Sequence, residues 1–585
     1  MQIVSPPTEI FSAALKACRR HFIAVGVFSA LLNLLFLVPM LYMLQVYDRV
    51  IPTRGGLTLF FLTVVLLFGL ISLALLDYVR SRLLVRASIR LDRQLSGVLL
   101  DTTLTRRDKT FDAVARQAMR EFDTLRQALT GPAIVALSDA PWSPIYILVC
   151  FLIHPVIGAM VLVGAIGLAA VAILNQRATG EPLQRANEAA ARAYASQEQV
   201  LAGAENVRAL GMRQTMVRRH LTERDSMMGL QTAASFASSR YVTVSKFLRL
   251  SLQSLALGLG AWLAINNKVS AGAVFASSFL AGRALQPIEQ MLSSWRSIVQ
   301  ARSAYEKLNS LLGARESEIA LTQLPAPVGH LDVGQLWVAN AAGDGAILAN
   351  ISFQLSPGEV IAVVGPSGAG KSTLLRMLSG AGRPDRGIIR IDQANMLDWD
   401  PEKLAAFIGY LPQEVCLFAG TVKENIARFQ DGSDAEMSVI DEMAIAAAKC
   451  CQAHEVILKL PKGYDSALGW GGRGLSAGQA QRIGLARALY GDPPIVLLDE
   501  PNAHLDATGE GQLVETLTAL KARKAGVIIV AHRMGVLAAV DKILVLRDGQ
   551  IEAFGARDEI IARISGSSPT PIDAPAKQAA RSKAS

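Results

Sequence analysis

Long apolar stretches alternate with arginine-rich ones through the first half of the chain, and that alternation predicts membrane helices. Residues 22–46 and 57–76 carry no charge. A bilayer core takes about 20 apolar residues of helix, so each run predicts one span. Residues 133–176 hold Asp139 as their one acidic or basic charge, beside His154. That run is too long for one span and right for two, with His154-Pro155 as the turn between them. Residues 250–267 predict a fifth span and 269–295 a sixth, the least apolar because Arg283 and Glu289 interrupt it. An amphipathic soluble helix pair is the alternative for the last two. The first run is too long for a signal-peptide core and no small-residue cleavage site follows it, so no cleaved signal is expected.

Past residue 311 the texture changes. Leu324-Pro325-Ala326-Pro327 reads as a linker. Beyond it, short β-type runs at 360–364, 387–391, 495–498, 527–530 and 543–546 alternate with helical stretches, which predicts an α/β domain with a largely parallel sheet. The expected organisation is a cytoplasmic segment at 1–21 and a six-helix transmembrane domain with long cytoplasmic helical loops at 22–315. A linker at 316–329, an α/β domain at 330–564 and a disordered tail at 565–585 follow. The tail is rich in Ser, Pro, Ala and Lys.

Composition narrows the class. Of 585 residues, 51% are hydrophobic and 18% charged, against about 25% charged in soluble chains. Disordered, fibrous and disulfide-scaffold proteins are excluded. The five cysteines lack C-x-x-C or metal-ligand spacing and read as reduced thiols. A net charge of +9 suits either nucleic acid or basic loops beside a bilayer. Its location decides: Lys16, Arg19 and Arg20 precede the first span, and arginines crowd 80–126 and 177–224, while the alternate connections hold few cations. The positive-inside rule then puts both termini and both long connections in the cytoplasm, and nucleic-acid binding is not expected. The long connections are rich in Ala, Arg, Gln and Glu, as in 183–207, so the helices should run on well past the bilayer. Asp139 and Arg283 fall at membrane depth, where ionisable groups face a bundle interior or an aqueous cavity; snorkelling to the interface is the alternative for Asp139.

The chemistry sits in the second half. A buried-type strand at 360–364 runs into Gly365, Pro366, Ser367, Gly368, Ala369, Gly370, Lys371, Ser372 and Thr373, then a helical stretch. This is a P-loop in its required strand–loop–helix setting. Backbone N–H groups and the helix's positive end cradle phosphates, Lys371 reaches the β- and γ-phosphates, and Ser372 ligates Mg²⁺. Ile495-Val-Leu-Leu-Asp-Glu500 delivers Asp499 at the C-terminal end of a strand to hold Mg²⁺, and Glu500 as general base toward water. In Leu475-Ser-Ala-Gly-Gln479, Ser476 stands at a helix start. Its hydroxyl and the Gly478 N–H suit a phosphate, but an ordinary N-cap reads the same way.

In this order GPSGAGKST, Gln413 in YLPQE, LSAGQ with Gln479, IVLLDE, Asp506 in AHLD and His532 in VAHR resemble an ATP-binding-cassette (ABC) domain. With six spans ahead of it, the chain looks like an ABC exporter half-transporter: a membrane α-helical bundle of the type I exporter fold plus an α/β P-loop NTPase domain. PMLYMLQVYDRVIPTRG, APWSPIYILVCFLIHP, ENVRALGM and GRALQPIEQ are similar to the type I protein-secretion ATPases, in the protease- and S-layer-exporter branch. The resemblance implies an ATP- and Mg²⁺-dependent ATPase of the bacterial inner membrane, and a homodimer whose sites pair Lys371 and Asp499 with Ser476 and Gly478 of a second copy. It also implies a periplasmic adaptor, an outer-membrane channel, contact with membrane lipid, and an exported polypeptide bearing a C-terminal signal. The loops around 107–126 and 205–212 would carry motion to the spans. By the same resemblance Gln413 senses the γ-phosphate and Mg²⁺, His532 contacts the γ-phosphate, and Asp506 meets the opposite P-loop. Glu500, His532 and Gln413 are the expected catalytic set, with Ser372, Gln413 and Asp499 around the metal.

Three positions depart from the family pattern: Ala477 for a glycine, His504 before Asp506, and no aromatic at Asn340, with Trp337 nearby. Only about 20 residues precede the first span, too few for a peptidase domain, so the spans or cassettes themselves are expected to recognise substrate. The alternative function is export of lipid or small hydrophobic molecules. Lys371, Glu500 and His532 exclude a catalytically dead subunit, and the spans exclude a non-transporting cassette ATPase.

Overall fold

The computed structural model describes residues 7–105, 113–313, 324–340, 345–503, 507–531 and 533–566. The expected tail, from residue 567, and residues 316–323 of the expected linker lie outside them. The chain divides into two compact units, one ending at Ser317 and one beginning at Glu318.

The first unit is helical. α1 (Pro7–Leu35) and α2 (Leu37–Gln45) lead through a π-helical turn, Val46–Val50, into α3 (Ile51–Thr53). α4 (Gly56–Thr105), α5 (Ala113–Thr130), α6 (Pro132–Asp139), α7 (Ser143–Ile153), α8 (Pro155–Ala202), α9 (Ala204–Ala209), α10 (Arg213–Ile265), α11 (Ala271–Ser293) and α12 (Trp295–Gly313) follow. Among the described residues, five helical stretches are long and apolar enough to cross a membrane: Ala13–Thr53, Gly56–Thr105, Gln117–Ile153, Pro155–Ala202 and Arg213–Ile265. They carry the first five expected spans. The expected turn is present, with His154 Nδ1 accepting from Val156 N–H at 3.3 Å at the start of α8. α4, α8 and α10 have 50, 48 and 53 residues. At about 1.5 Å per residue each exceeds twice the roughly 30 Å bilayer core, so the helices do run on past it.

The sixth expected span forms α11, which is less apolar than the others for a structural reason. α4 exposes Phe60, Phe61, Phe68 and Ile71, side chains suited to lipid. α11 buries Ala276, Leu280, Ala281, Ala284 and Leu285 and packs against α2, α6, α7, α8 and α10. A helix face packed against other helices needs small residues for close approach, not an apolar outer surface. Its first turn is tied to the α2–α3 turn. Asp48 accepts from the Ser270 hydroxyl at 2.5 Å and from Gly272 N–H at 2.6 Å, a carboxylate at the positive end of a helix. Tyr47 stacks on Phe275 with centroids 4.1 Å apart. A Cβ at Gly272 would lie 2.6 Å from the Leu44 carbonyl oxygen, so only glycine lets these segments meet. This contact is the structural content of the PMLYMLQVYDRVIPTRG stretch.

Asp139 faces the bundle interior. It accepts from Asn33 at 3.0 Å and pairs with Arg80 at 3.4 Å, while Arg80 also reaches Ser29 at 3.1 Å. Tyr146 donates to the Asn33 carbonyl at 2.7 Å. Snorkelling is thereby excluded for Asp139.

The second unit is α/β. Its elements are β1 (Leu331–Ala339), β2 (Ala346–Leu355), β3 (Val360–Val364), α13 (Lys371–Leu378), β4 (Arg386–Ile391), β5 (Ala394–Asn395), α14 (Pro401–Phe407), β6 (Ile408–Leu411), β7 (Gly420–Thr421), α15 (Val422–Ile426), α16 (Asp434–Cys450), α17 (His454–Leu458), β8 (Ala467–Leu468), α18 (Ala477–Leu489), β9 (Ile495–Asp499), α19 (Ala507–Ala522), β10 (Gly526–Val530), α20 (Met534–Leu537), β11 (Lys542–Arg547), β12 (Gln550–Ala556) and α21 (Arg557–Gly566). A six-stranded sheet in the order β12-β11-β3-β10-β9-β6 is parallel except at β12. The run at 387–391 does not join it. As β4 it pairs antiparallel with β1 in a second sheet, β2-β1-β4-β5. Hydrophobic layers lie on both faces of the parallel sheet, which is why β3, β9 and β10 read as unbroken apolar runs.

Candidate nucleotide site

The register of the parallel sheet brings the motifs together. Val530 of β10 lies level with Val363 of β3 on one side and Asp499 of β9 on the other, and Leu411 of β6 lies level with Leu498. The P-loop, Asp499-Glu500 and the segment holding Gln413 therefore leave the same edge, the carboxyl end where open α/β sheets bind ligands.

Gly365, Gly368 and Gly370 adopt positive φ of 153°, 83° and 98°. A Cβ on Gly365 would lie 2.0 Å from the Leu546 carbonyl oxygen. The loop thus closes tightly over β11 and releases the chain into α13, whose first N–H groups point at the loop's concavity. Lys371 is 7% exposed, and its Nζ donates to the Gly365 and Pro366 carbonyls at 2.9 Å each. The ammonium is thereby held over the cradle that Pro366, Ser367, Ala369 and Thr373 complete.

Asp499 is 1% exposed. Burial pushes its carboxyl above the usual carboxylate range and the Glu500 charge adds to this; a hydrogen bond with Ser372 and the Lys371 charge act the other way. Its Oδ1 is buried without a hydrogen-bond partner. A buried carboxylate oxygen left open beside a hydroxyl fits Mg²⁺, which takes one or two protein ligands and completes its shell with phosphates and water.

Gln413 Nε2 donates to Glu500 Oε2 at 3.2 Å, so these two meet directly. Glu500 has φ of 48°, a conformation costly for a side chain bearing a Cβ and concentrated at functional sites. Sequence reasoning missed Gln481. It is buried at 3% exposure, and its Nε2 lies 3.5 Å from the Glu500 carbonyl oxygen. A glutamine on the buried face of α18 was the available signal.

Other expected residues stand apart. Ser476 caps α18, its hydroxyl accepting from Gln479 N–H at 3.2 Å while Gln479 Oε1 accepts from Ser476 N–H at 2.8 Å. This capping box leaves the Ser476 O–H free to donate. Among the described residues no hydrogen bond joins Ser476, Gly478 or Gln479 to residues 365–373. His504, Asp506 and His532 lie outside the described residues. Near them, Arg533 pairs with Glu510 at 3.3 Å. Trp337 carries the Arg386 guanidinium over its ring at 5.5 Å, so one face of the indole is already taken.

Fold and site together define a P-loop ATPase joined to a membrane-spanning helical unit. Residues 22–286 match the ABC transporter transmembrane region and residues 348–503 the ABC transporter family. The Type I secretion system ATP-binding protein PrsD of Rhizobium meliloti is 39% identical over 558 residues, 94% of this chain and 94% of that protein. The cyclolysin secretion/processing ATP-binding protein CyaB of Bordetella pertussis is 30% identical, over 93% of this chain and 76% of that one. A solved structure of a bacterial Atm1-family ABC exporter with ATP bound superposes with a TM-score of 0.78 at 24% identity, covering 93% of this chain and 96% of that one, and shows the shared fold. The chain belongs to the ABC transporter family, as an ATP-hydrolysing, multi-pass exporter half-transporter of the type I secretion ATP-binding group.

Proposed function

We propose that this exporter moves a polypeptide bearing a C-terminal signal outward across the bacterial inner membrane. It would work as a homodimer with a periplasmic adaptor and an outer-membrane channel. The observation that carries this reading is end-to-end similarity to a Type I secretion system ATP-binding protein, reinforced by relatives named for cyclolysin secretion and leukotoxin export. In this reading residues 22–315 are the membrane domain and 330–564 the cassette, and the cationic connections at 80–126 and 177–224 keep both termini in the cytoplasm.

The residues divide the ATPase work as follows. The loop from Gly365 to Thr373 holds the phosphates, with Lys371 turning its ammonium from carbonyls to phosphate oxygens. Ser372 and Asp499 would hold Mg²⁺, with Gln413 beside them, and the ion when bound would neutralise charge at the phosphate oxygens. Glu500, fixed by its bond from Gln413, takes a proton from the attacking water, and His532 and Asp506 complete the site. Ser476, Gly478 and Gln479 serve the site of the second copy.

The test uses the full chain reconstituted in lipid vesicles. ATP turnover is measured with the C-terminal segment of a secreted protein encoded beside its gene and with a scrambled version. Stimulation by the native segment alone is expected. Equal response to both, or stimulation by lipids or drugs only, would favour a lipid or small-molecule exporter instead.

A further inference from the structure

α11 is divided lengthwise in a way its membrane position does not demand. One side carries the buried apolar residues, among them Ala276, Leu280 and Ala284. The other, an arc of roughly 140° at helical spacing, carries the six residues Ser278, Gly282, Arg283, Gln286, Glu289 and Gln290, with the rings of Phe275 and Phe279 between them. All six are half-buried, and no residue of α11 from 272 to 292 is fully exposed. A lipid-facing surface would be apolar and exposed, as on α4. A polar, sheltered surface at membrane depth faces water or protein.

The polar groups on this arc differ in how far they are satisfied. Glu289 pairs with Arg249 of α10, and Ser278 donates to the Gln253 carbonyl at 3.0 Å. Arg283 is the exception. It donates to Gln286 at 2.9 Å, and its guanidinium lies over the Phe36 ring at 3.5 Å and near Phe279 at 5.8 Å. Among the described residues it has no carboxylate partner. The nearby Asp139 is already engaged by Arg80 and Asn33. Aromatic rings hold the guanidinium plane in place while its remaining N–H groups stay available to a carboxylate. Arg283 is twelve residues into α11, about 18 Å from the helix start at 1.5 Å per residue, well inside the bilayer core.

We propose that the polar arc of α11 lines a water-filled export path and that Arg283 is its recognition group for carboxylates on the passing polypeptide. The carboxylates are those of acidic side chains or of the free chain terminus. This rests on the polypeptide-export reading and deepens it. A guanidinium without a hydrogen-bonded carboxylate, on a wall whose one acidic group is already paired with Arg249, captures an acidic segment.

Two measurements on the full chain in phosphatidylcholine vesicles test this. In the first, cysteines replacing Ser278, Gln286 and Gln290, in a chain cleared of its native thiols, are exposed to a charged, water-borne thiol reagent. Reaction at these positions but not at Ala276→Cys or Leu280→Cys is expected; the reverse pattern overturns the aqueous path. In the second, binding is compared for an unstructured Gly/Ser peptide carrying glutamates, its glutamine counterpart, and both with a C-terminal amide. The glutamate peptide is expected to bind at least roughly tenfold more tightly, with most of that preference lost in Arg283→Gln and retained in Arg283→Lys. Loss on amidation alone would assign the site to the chain terminus, and loss on Glu-to-Gln exchange to acidic side chains. Equal binding of all peptides, an equal fall for all of them in Arg283→Gln, or competition by anionic lipid in place of peptide overturns the role of Arg283. If no peptide binds while lipid raises turnover, the polypeptide reading itself falls, and this inference with it.

Discussion

In the proposed mechanism Glu500 and Lys371 take opposite sides of one reaction, and substitution should separate them. Glu500→Gln keeps shape and the contact with Gln413 but cannot accept a proton. ATP affinity should persist, while turnover falls by about 10²–10⁴-fold. Lys371→Ala removes the charge held over the loop, so nucleotide affinity itself should fall roughly tenfold or more. Titration of bound nucleotide beside steady-state turnover distinguishes the two; normal turnover in Glu500→Gln would remove the general-base assignment. These residues were legible in the sequence because phosphate binding demands glycines at fixed spacing after an apolar strand, and because a strand end fixes where Asp499 points. Gln481 was not. Its contact with Glu500 depends on how α18 is rotated against β9, and local pattern does not encode that rotation.

At the scale of elements, the Arg80–Asp139 pair ties α4 to the end of α6. Removing one member leaves a buried charge exposed to an apolar surround. Asp139→Ala should therefore cost about 3–5 kcal/mol, toward the lower end because Arg80 keeps Asp77 at 2.6 Å. Replacing both by leucine should restore most of the loss. Thermal unfolding in detergent measures both, and a double variant no better than the single would show that Asn33 and Ser29, not charge, decide the cost. The sequence left Asp139 undecided because interior and interface positions use the same residues; only the Asn33 and Arg80 partners, far away in the chain, settle it. The same limit applied to β4. Its apolar run resembled the parallel strands, yet its burial alternates toward the end, a one-faced pattern that suits the antiparallel sheet it joins. The helix lengths, by contrast, were legible, since runs rich in Ala, Arg, Gln and Glu with few Pro or Gly give the backbone little reason to stop; Pro182 lies within α8 without ending it.

For the whole molecule, the decisive question is which chains build one site. If Ser476 serves the loop of a second copy, a Lys371→Ala chain and a Ser476→Arg chain should each be inactive alone. Their equimolar co-assembly should regain roughly a quarter of normal turnover, because mixed dimers hold one intact site. No recovery in verified mixed dimers would mean that each chain completes its own. The composition of α11 bears on a different event, the manufacture of the protein. A translocation pore sorts helices one after another by how readily each partitions into lipid, and Arg283 alone raises that cost by about 2.5–3.5 kcal/mol. The last part of α10, residues 250–265, carries no charge and is joined to α11 by a short turn, and its Arg249 neutralises Glu289. The two should therefore enter as a hairpin, the first helix chaperoning the second. Glycosylation mapping of α11 alone should find it left outside the bilayer, the α10–α11 hairpin should span it, and Arg249→Ala should lower the hairpin's yield. The helix best suited to water along the route outward is then the one that cannot be installed without its neighbour.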